Sequence, residues 1–311
     1  MAAASGDGPA TPLVRTSSND LGPRSPSPDR AEPVSEAVPN EADGYDWQEE
    51  AASFDIADGM AALTIDPTGT GYLGSTAGVF FLRSLLLWLG NPKSPTQPQA
   101  HASPHEADPS LSSWRLTQSM LPHQVVSKLI DTYFNSYHLT YPFVHEATFR
   151  AQYHEIIPRP SRRAWQMLLN SVLALGAWCS NNNEADLEDH LYYCAVSFSE
   201  DETMFERANL TYVQALVLLS NLSQKRNKPN TGWNVLGLAT RMAISLGLHR
   251  ELPEWKISLL QRQMRRRVWW GLYLMDSGAA TTFGRPILLP GREAMDVEYV
   301  LNIADEVSSW I

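Results

Sequence analysis

Beyond Leu121, apolar residues recur three and four positions apart, the spacing that gathers side chains on one face of an α-helix. Pro122 is placed to open a helix in which Val125, Val126, Leu129, Ile130, Tyr133, Phe134 and Tyr137 make a broad apolar stripe. HLTYPFVHEATFRAQY reads as a turn around Pro142 followed by a short helix. WQMLLNSVLALGAWCS (165–180) is apolar almost all round, which predicts a helix at the centre of the body. LEDHLYYCAVSFSEDETMF then leads into a helix over NLTYVQALVLLSNLSQ (209–224). A polar, basic break, KRNKPNTG, separates it from NVLGLATRMAISLGLHR (234–250), and a last helix is predicted from Lys256 to Ala280.

No run of alternating β-branched residues appears between these segments, and their spacing suits paired helices joined by short loops. The expected fold class is all-α, an irregular multi-helix bundle of helical hairpins over residues 119–311. Ahead of it, GTGYLGSTAGVFFLRSLLLWLG is a glycine-rich turn feeding a short buried helix that ends near Gly90, which makes residues 60–90 a helical leading element. Its glycines lack the lysine and spacing of a nucleotide-binding loop. Residues 91–118 form a Pro/Ser-rich loop, where His101 and His105 have no helix to align them as metal ligands.

Residues 1–59, rich in Pro, Ser, Asp and Glu, bury too little to offset the entropy of ordering and are expected to be a disordered acidic tail. Tyr45, Trp47 and Phe54 within it suit either a partner-binding segment or plain linker.

Charge sharpens this division. The net charge is −10, yet residues 1–60 hold twelve Asp/Glu against three Arg, while the rest holds twenty-two against twenty-one Lys/Arg. A nearly neutral body has no global field for DNA or an anionic membrane. The apolar stretch Val79–Gly90 is interrupted by Arg83 and is shorter than the roughly 20 residues that span a bilayer. Cys179 and Cys194, the only cysteines among 311 residues, provide no metal-ligand pair at Cys-x-x-Cys spacing and read as core sulfurs in a reducing compartment.

Candidate chemistry concentrates in RRRVWWGLYLMDSGAATTFGRP (265–286). On a helix, Val268, Leu272, Met275 and Ala279 share one stripe with Trp269 and Tyr273 beside it, while Arg262, Arg265 and Arg266 are expected to reach solvent. Asp276 stands against that apolar face and needs a cation or several donors. Arg267 is too distant along the helix, so Arg241 or Arg285 is the expected mate if it is an ion pair; a cap, an exposed charge and a ligand contact remain alternatives. Gly247 is expected to be a left-handed cap residue, with His249 and Arg250 near the helix carboxyl end. No serine elbow, His-Glu-x-x-His, metal carboxylate pair or Cys–His pair stands out, so no catalytic residue is assigned. His138, His145, His154 and His190 leave an enzyme unsupported at this level.

Three stretches, YFNSYHLTYPFVHEATF (133–149), LATRMAISLGLHR (238–250) and RRRVWWGLYLMDSGAATTFGRP, carry a resemblance to the regulatory middle homology region of fungal zinc-cluster transcription factors. Arg241, Gly247, Leu248, His249 and Arg250 match the family's first motif; Arg266, Arg267, Trp269, Trp270, Asp276, Gly284, Arg285 and Pro286 match its second. Ser277 stands where a basic residue commonly follows the aspartate.

The resemblance implies scaffold and regulatory roles for these residues, nuclear transcriptional regulation, protein partners in the transcription machinery or a regulator, and room for a homodimer. Zinc is implied only for a six-cysteine cluster, which two cysteines cannot make. DNA is therefore expected to be reached through a missing or separate module, with no cofactor in this chain. The family region usually continues past GRP, so truncation at the C-terminal end is an expectation. The competing reading is a helical interaction scaffold without transcriptional activity, with an unrecognised enzyme behind it.

Overall fold

A computed structural model describes residues 72–89, 121–180, 185–197, 206–226, 228–251 and 253–303; the expected tail and the whole Pro/Ser-rich loop lie outside the described residues. The described residues are helical with no strand among them. In chain order the helices are α1 (Gly78–Trp88), α2 (His123–Thr132), a π-helical turn (Tyr133–Tyr137) running into α3 (His138–Thr140), α4 (Glu146–Tyr153), α5 (Arg162–Cys179), α6 (Ala185–Ser197), α7 (Leu210–Lys225), α8 (Pro229–Ser245) and α9 (Leu259–Phe283).

Two antiparallel hairpins, α5–α6 and α7–α8, form the middle of the body, with α5 and α7 packed on each other and α2 laid against α5. The near-continuous apolar text of α5 buries it from Ala164 to Ala177 with few gaps, and α7 is buried equally from Tyr212 to Leu219. Side chains such as Leu175 and Leu216, both without exposure, contribute about 1.5–3 kcal/mol each by leaving water. Three serine hydroxyls in this interior are satisfied by backbone carbonyls. Ser171 Oγ donates to the Met167 carbonyl (2.9 Å), Ser223 Oγ to Leu219 (2.8 Å), and Ser220 Oγ crosses to Gly232 on α8 (2.9 Å).

Boundaries depart from the sequence expectation where turn chemistry is at issue. PNTG is not part of a break: Pro229 takes the first position of α8, where a missing amide proton costs nothing. The last helix runs Leu259–Phe283, because Ser258 and Gln261 make a reciprocal capping box and Gly284 ends it in the left-handed region. The π turn gains one residue per turn, and with it Tyr133, Phe134 and Tyr137 are all buried on one side. α4 is capped by His145, whose Nδ1 accepts the Thr148 amide (3.3 Å).

Candidate functional site

The conspicuous late helix α9 is an internal beam. Trp269 and Leu272 have no exposure, and Val268, Met275 and Ala279 are buried beside them, while Trp270 and Tyr273 are half-buried.

Its basic run is turned inward, which corrects the expectation that Arg262, Arg265 and Arg266 reach solvent. Arg266 is 7% exposed; its Nε donates to Glu251 Oε2 (3.0 Å), and its Nη2 to Glu251 Oε1 (2.5 Å) and to Glu298 Oε2 (2.6 Å). Its Nη1 reaches the Tyr299 carbonyl (3.2 Å). Arg262 Nη1 shares Glu251 Oε1 (3.1 Å). Burial by itself raises the Glu251 carboxyl, but hydrogen bonds from Arg266, the Glu298 amide and Arg262 overcome it and hold the group down to about 2. Arg265 instead donates from Nη2 to the carbonyls of Leu246 (3.0 Å) and Gly247 (2.9 Å). Arg267 is also buried, with Nη2 at 3.5 Å from the Ile303 carbonyl.

The chain beyond α9 supplies the reason. After Pro286 it folds back along the helix, so that residues 295–303 cover the amino-terminal half of α9. The Trp270 indole donates to the Glu298 carbonyl (2.9 Å) and stacks on Tyr299 at 5.0 Å. Gln263, with no exposure, accepts the Leu301 amide (2.9 Å). The returning segment also meets the residues after α8, where the His249 carbonyl accepts the amides of Asp296 (3.2 Å) and Val297 (3.3 Å) and Arg250 pairs with Asp296 (2.9 Å).

Asp276 anchors the other end of that segment. It is fully buried, and its Oδ2 accepts the amides of Leu288 (2.7 Å) and Leu289 (3.0 Å). Backbone supplies the expected donors at Oδ2, while Oδ1 is buried with no hydrogen-bond partner among the described residues; the expected mates, Arg241 and Arg285, are not its partners. Arg241 is exposed. Arg285 donates from Nε to the Tyr72 carbonyl (2.9 Å) and from Nη2 to Asn230 Oδ1 (2.6 Å), with its guanidinium over the Trp233 ring at 5.2 Å.

The two glycines of the motifs serve different junctions. Gly247, at φ 65°, closes α8 with the paired bonds of a Schellman cap: its amide reaches Ile244 (2.9 Å), and that of buried Leu248 reaches Ala243 (3.0 Å). The His249 ring lies 5.8 Å from that of Trp269, and burial pushes its pKa down. Gly284, at φ 64°, faces Gly74 of the leading segment so closely that a Cβ on Gly74 would sit 2.0 Å from the Gly284 oxygen. The Gly74 amide donates to the Phe283 carbonyl (2.9 Å), so GRP is where the leading element docks on α9, and exposed Pro286 starts the return.

The motif residues thus come together around α9, except Arg241. Sequence reasoning missed Glu251, Gln263 and Glu298; only Glu251, directly after the His-Arg pair, had a signal, as an acid close to an arginine-rich helix. The histidines set aside as unresolved are dispersed: His145 caps α4, His190 Nε2 lies 3.6 Å from Cys194 Sγ, and His154 lies 6.1 Å from the His123 ring. Cys194 is buried among core residues, and that burial raises its thiol to about 11. Among the described residues no group of three or more His, Cys, Asp or Glu is placed to hold a metal, and no helix is long and apolar enough to cross a membrane.

The description "Fungal specific transcription factor domain" is that of a family model matching residues 130–310. The chain is 40% identical over 174 residues to the lactose regulatory protein LAC9 of Kluyveromyces lactis, covering 56% of this chain and 20% of that protein. It is 26% identical over 319 residues to the transcription factor FBD3 of Gibberella moniliformis, covering 89% and 41%. Against the nitrogen assimilation transcription factor nirA of Emericella nidulans it is 25% identical over 240 residues, covering 74% and 26%. The chain therefore spans between about a fifth and two fifths of the length of these relatives. No solved structure matches it.

Proposed function

Because the chain belongs to the fungal specific transcription factor domain family, we propose that it is a regulatory module that controls transcription from the nucleus without reading DNA itself. The carrying observation is the fate of the arginine run. Phosphate recognition needs guanidinium groups aimed outward. Here Arg266 is locked to Glu251 and Glu298, Arg262 to Glu251, and Arg265 to the α8 cap.

Contact with DNA then falls to a separate module, and this domain works through protein partners of the transcription machinery or a regulator, with homodimerisation one available arrangement. Zinc belongs with that separate module, and this chain takes no cofactor. The dispersed histidines and the burial of Cys194 in the core favour a non-enzymatic role. Tethering the chain to a heterologous DNA-binding domain tests the reading: a reporter response is expected, together with no sequence-selective gel shift by the chain alone at near-physiological salt. A silent tethered reporter with the fusion in the nucleus would favour the interaction scaffold; tight selective DNA binding by the isolated chain would refute the division of labour.

A further inference from the structure

A cavity of about 350 Å³ lies between α4, the first turns of α7 and α9, and the loop around Trp255, near the lower end of the range for small-molecule sites. At roughly 30 Å³ per water, it holds about a dozen waters' worth of volume, which suits a ligand of about ten to fifteen heavy atoms. Val144, Phe149, Leu168, Leu210 and Met264 line it with apolar surface, and Arg265 closes one side. Among the described residues no aspartate or glutamate lines it.

Arg265 differs from its neighbours in the run. Arg262 and Arg266 share the carboxylate of Glu251, whereas Arg265 has no carboxylate at ion-pair distance among the described residues. Its described bonds are the two that Nη2 makes to the carbonyls of Leu246 and Gly247, and its guanidinium lies over the Trp255 ring at 4.8 Å. Burial pushes its pKa below the usual arginine value. A half-buried cation that feels Glu251 only from beyond ion-pair distance, and that lines this cavity, gains from an anionic occupant.

We propose that this cavity binds a small organic monocarboxylate, its carboxylate on the Arg265 guanidinium and its apolar body against Val144, Phe149, Leu168, Leu210 and Met264. Among the described residues Arg265 is the one arginine or lysine in the lining, which matches a single negative charge, while Thr148, Gln152, Thr211, Gln214 and Gln261 add neutral polar groups beside the apolar ones. Occupancy bears on the body as well, because the same guanidinium holds the carbonyls that end α8, so a ligand on Arg265 steadies the α8–α9 junction. As a binding site it stands apart from the transcriptional reading; its use by an effector rests on that reading, and a silent reporter does not bear on binding.

Calorimetric titration of the full chain with hexanoate, octanoate and phenylpropionate, and with phenylpropionamide as the neutral counterpart, tests it. At least one carboxylate is expected to bind saturably, at one site, and about tenfold or more tighter than the amide, the margin a charge-assisted bond supplies. Arg265→Gln should remove that margin, and Thr211→Phe, which adds bulk from the α7 wall of the cavity, should weaken acid and amide alike. No saturable binding by any of the three acids, equal affinity for acid and amide, or binding untouched in Thr211→Phe would each overturn the proposal. The acid-against-amide comparison in the unmodified chain decides the matter even where a variant fails to fold.

Discussion

Arg266 and Glu251, fifteen residues apart, form a two-point ion pair with Nε at 3.0 Å from Oε2 and Nη2 at 2.5 Å from Oε1, and only 7% and 14% of the two side chains stay exposed. The pair joins three pieces of chain, since Glu298 supplies a second carboxylate to Arg266 and its own amide to Glu251. Geometry of this kind fixes register, because neither charge can be left alone at low exposure without a large desolvation cost.

Removing one partner should therefore cost more than removing an exposed pair. Arg266→Ala strands Glu251 with Arg262 alone and is expected to lower unfolding stability by about 2–4 kcal/mol, below the upper range for buried pairs because Arg262 remains. Arg250→Ala breaks a half-exposed pair with Asp296 and should cost under about 1 kcal/mol. Urea midpoints of the two variants, measured side by side, give the contrast; equal losses would mean that the buried clamp does not hold the return segment.

The clamp also carries an acid dependence with a definite sign. The Glu251 carboxyl titrates at about 2 in the fold against an ordinary 4.5, so the unfolded chain binds the proton first as pH falls. The stability it contributes is complete above about 4.5 and drains away as pH drops towards 2. Glu251→Gln should be less stable than the unmodified chain at neutral pH, and the gap should narrow across that window. Parallel denaturation curves from pH 5 to pH 2 would rule this out.

Asp276 tests whether the aspartate of the motif is a fastening or a contact residue. Its Oδ2, on a side chain with no exposure, takes two amides, so Asp276→Ala leaves one buried and one part-buried donor unpaired and is expected to cost about 1–3 kcal/mol. Asp276→Asn keeps one oxygen for them and should cost less. Limited proteolysis should find new cleavage after Pro286 in the alanine variant, while a structural change confined elsewhere would argue against the fastening.

The helical architecture was legible in the sequence because the apolar periodicity of α2, α5, α7 and α9 is long and clean, and Gly247 announced its cap because only a residue without a side chain sits easily at that φ. What stayed hidden depends on chain returning from a distance. Arg265 and Arg266 looked solvent-facing because helix periodicity treats charge as an outward signal, and nothing local shows that the α8 cap will meet the first and residues 295–303 the second. Asp276 was readable as a buried carboxylate in need of donors, but its partners are amides, which every residue carries and no pattern marks. The first turn of α8 was misread for the opposite reason: Pro229 is a strong local breaker that, at a helix start, breaks nothing.

The docking of the leading element offers a sharper test, since it rests on two glycines that approach each other backbone to backbone. A methyl on Gly74 would lie 2.0 Å from the Gly284 oxygen, and one on Gly284 would lie 2.5 Å from the Gly74 oxygen at a φ that already disfavours side chains. Either alanine should loosen residues 72–89, and once they are loose the second substitution has less left to disturb. The double variant is thus expected to lose less stability than the two single losses added, apart from the left-handed strain that Gly284→Ala carries on its own. Arg285 reports on the same joint, because its Nε bond to the Tyr72 carbonyl disappears when the segment leaves while the bond to Asn230 can stay. Hydrogen exchange would track it directly: the Gly74 amide, bonded to Phe283, should lose protection in Gly74→Ala while the α7 amides keep theirs. Additive losses, with the Gly74 amide equally protected in every variant, would mean that the two glycines act separately and that the leading element is held by α1 alone.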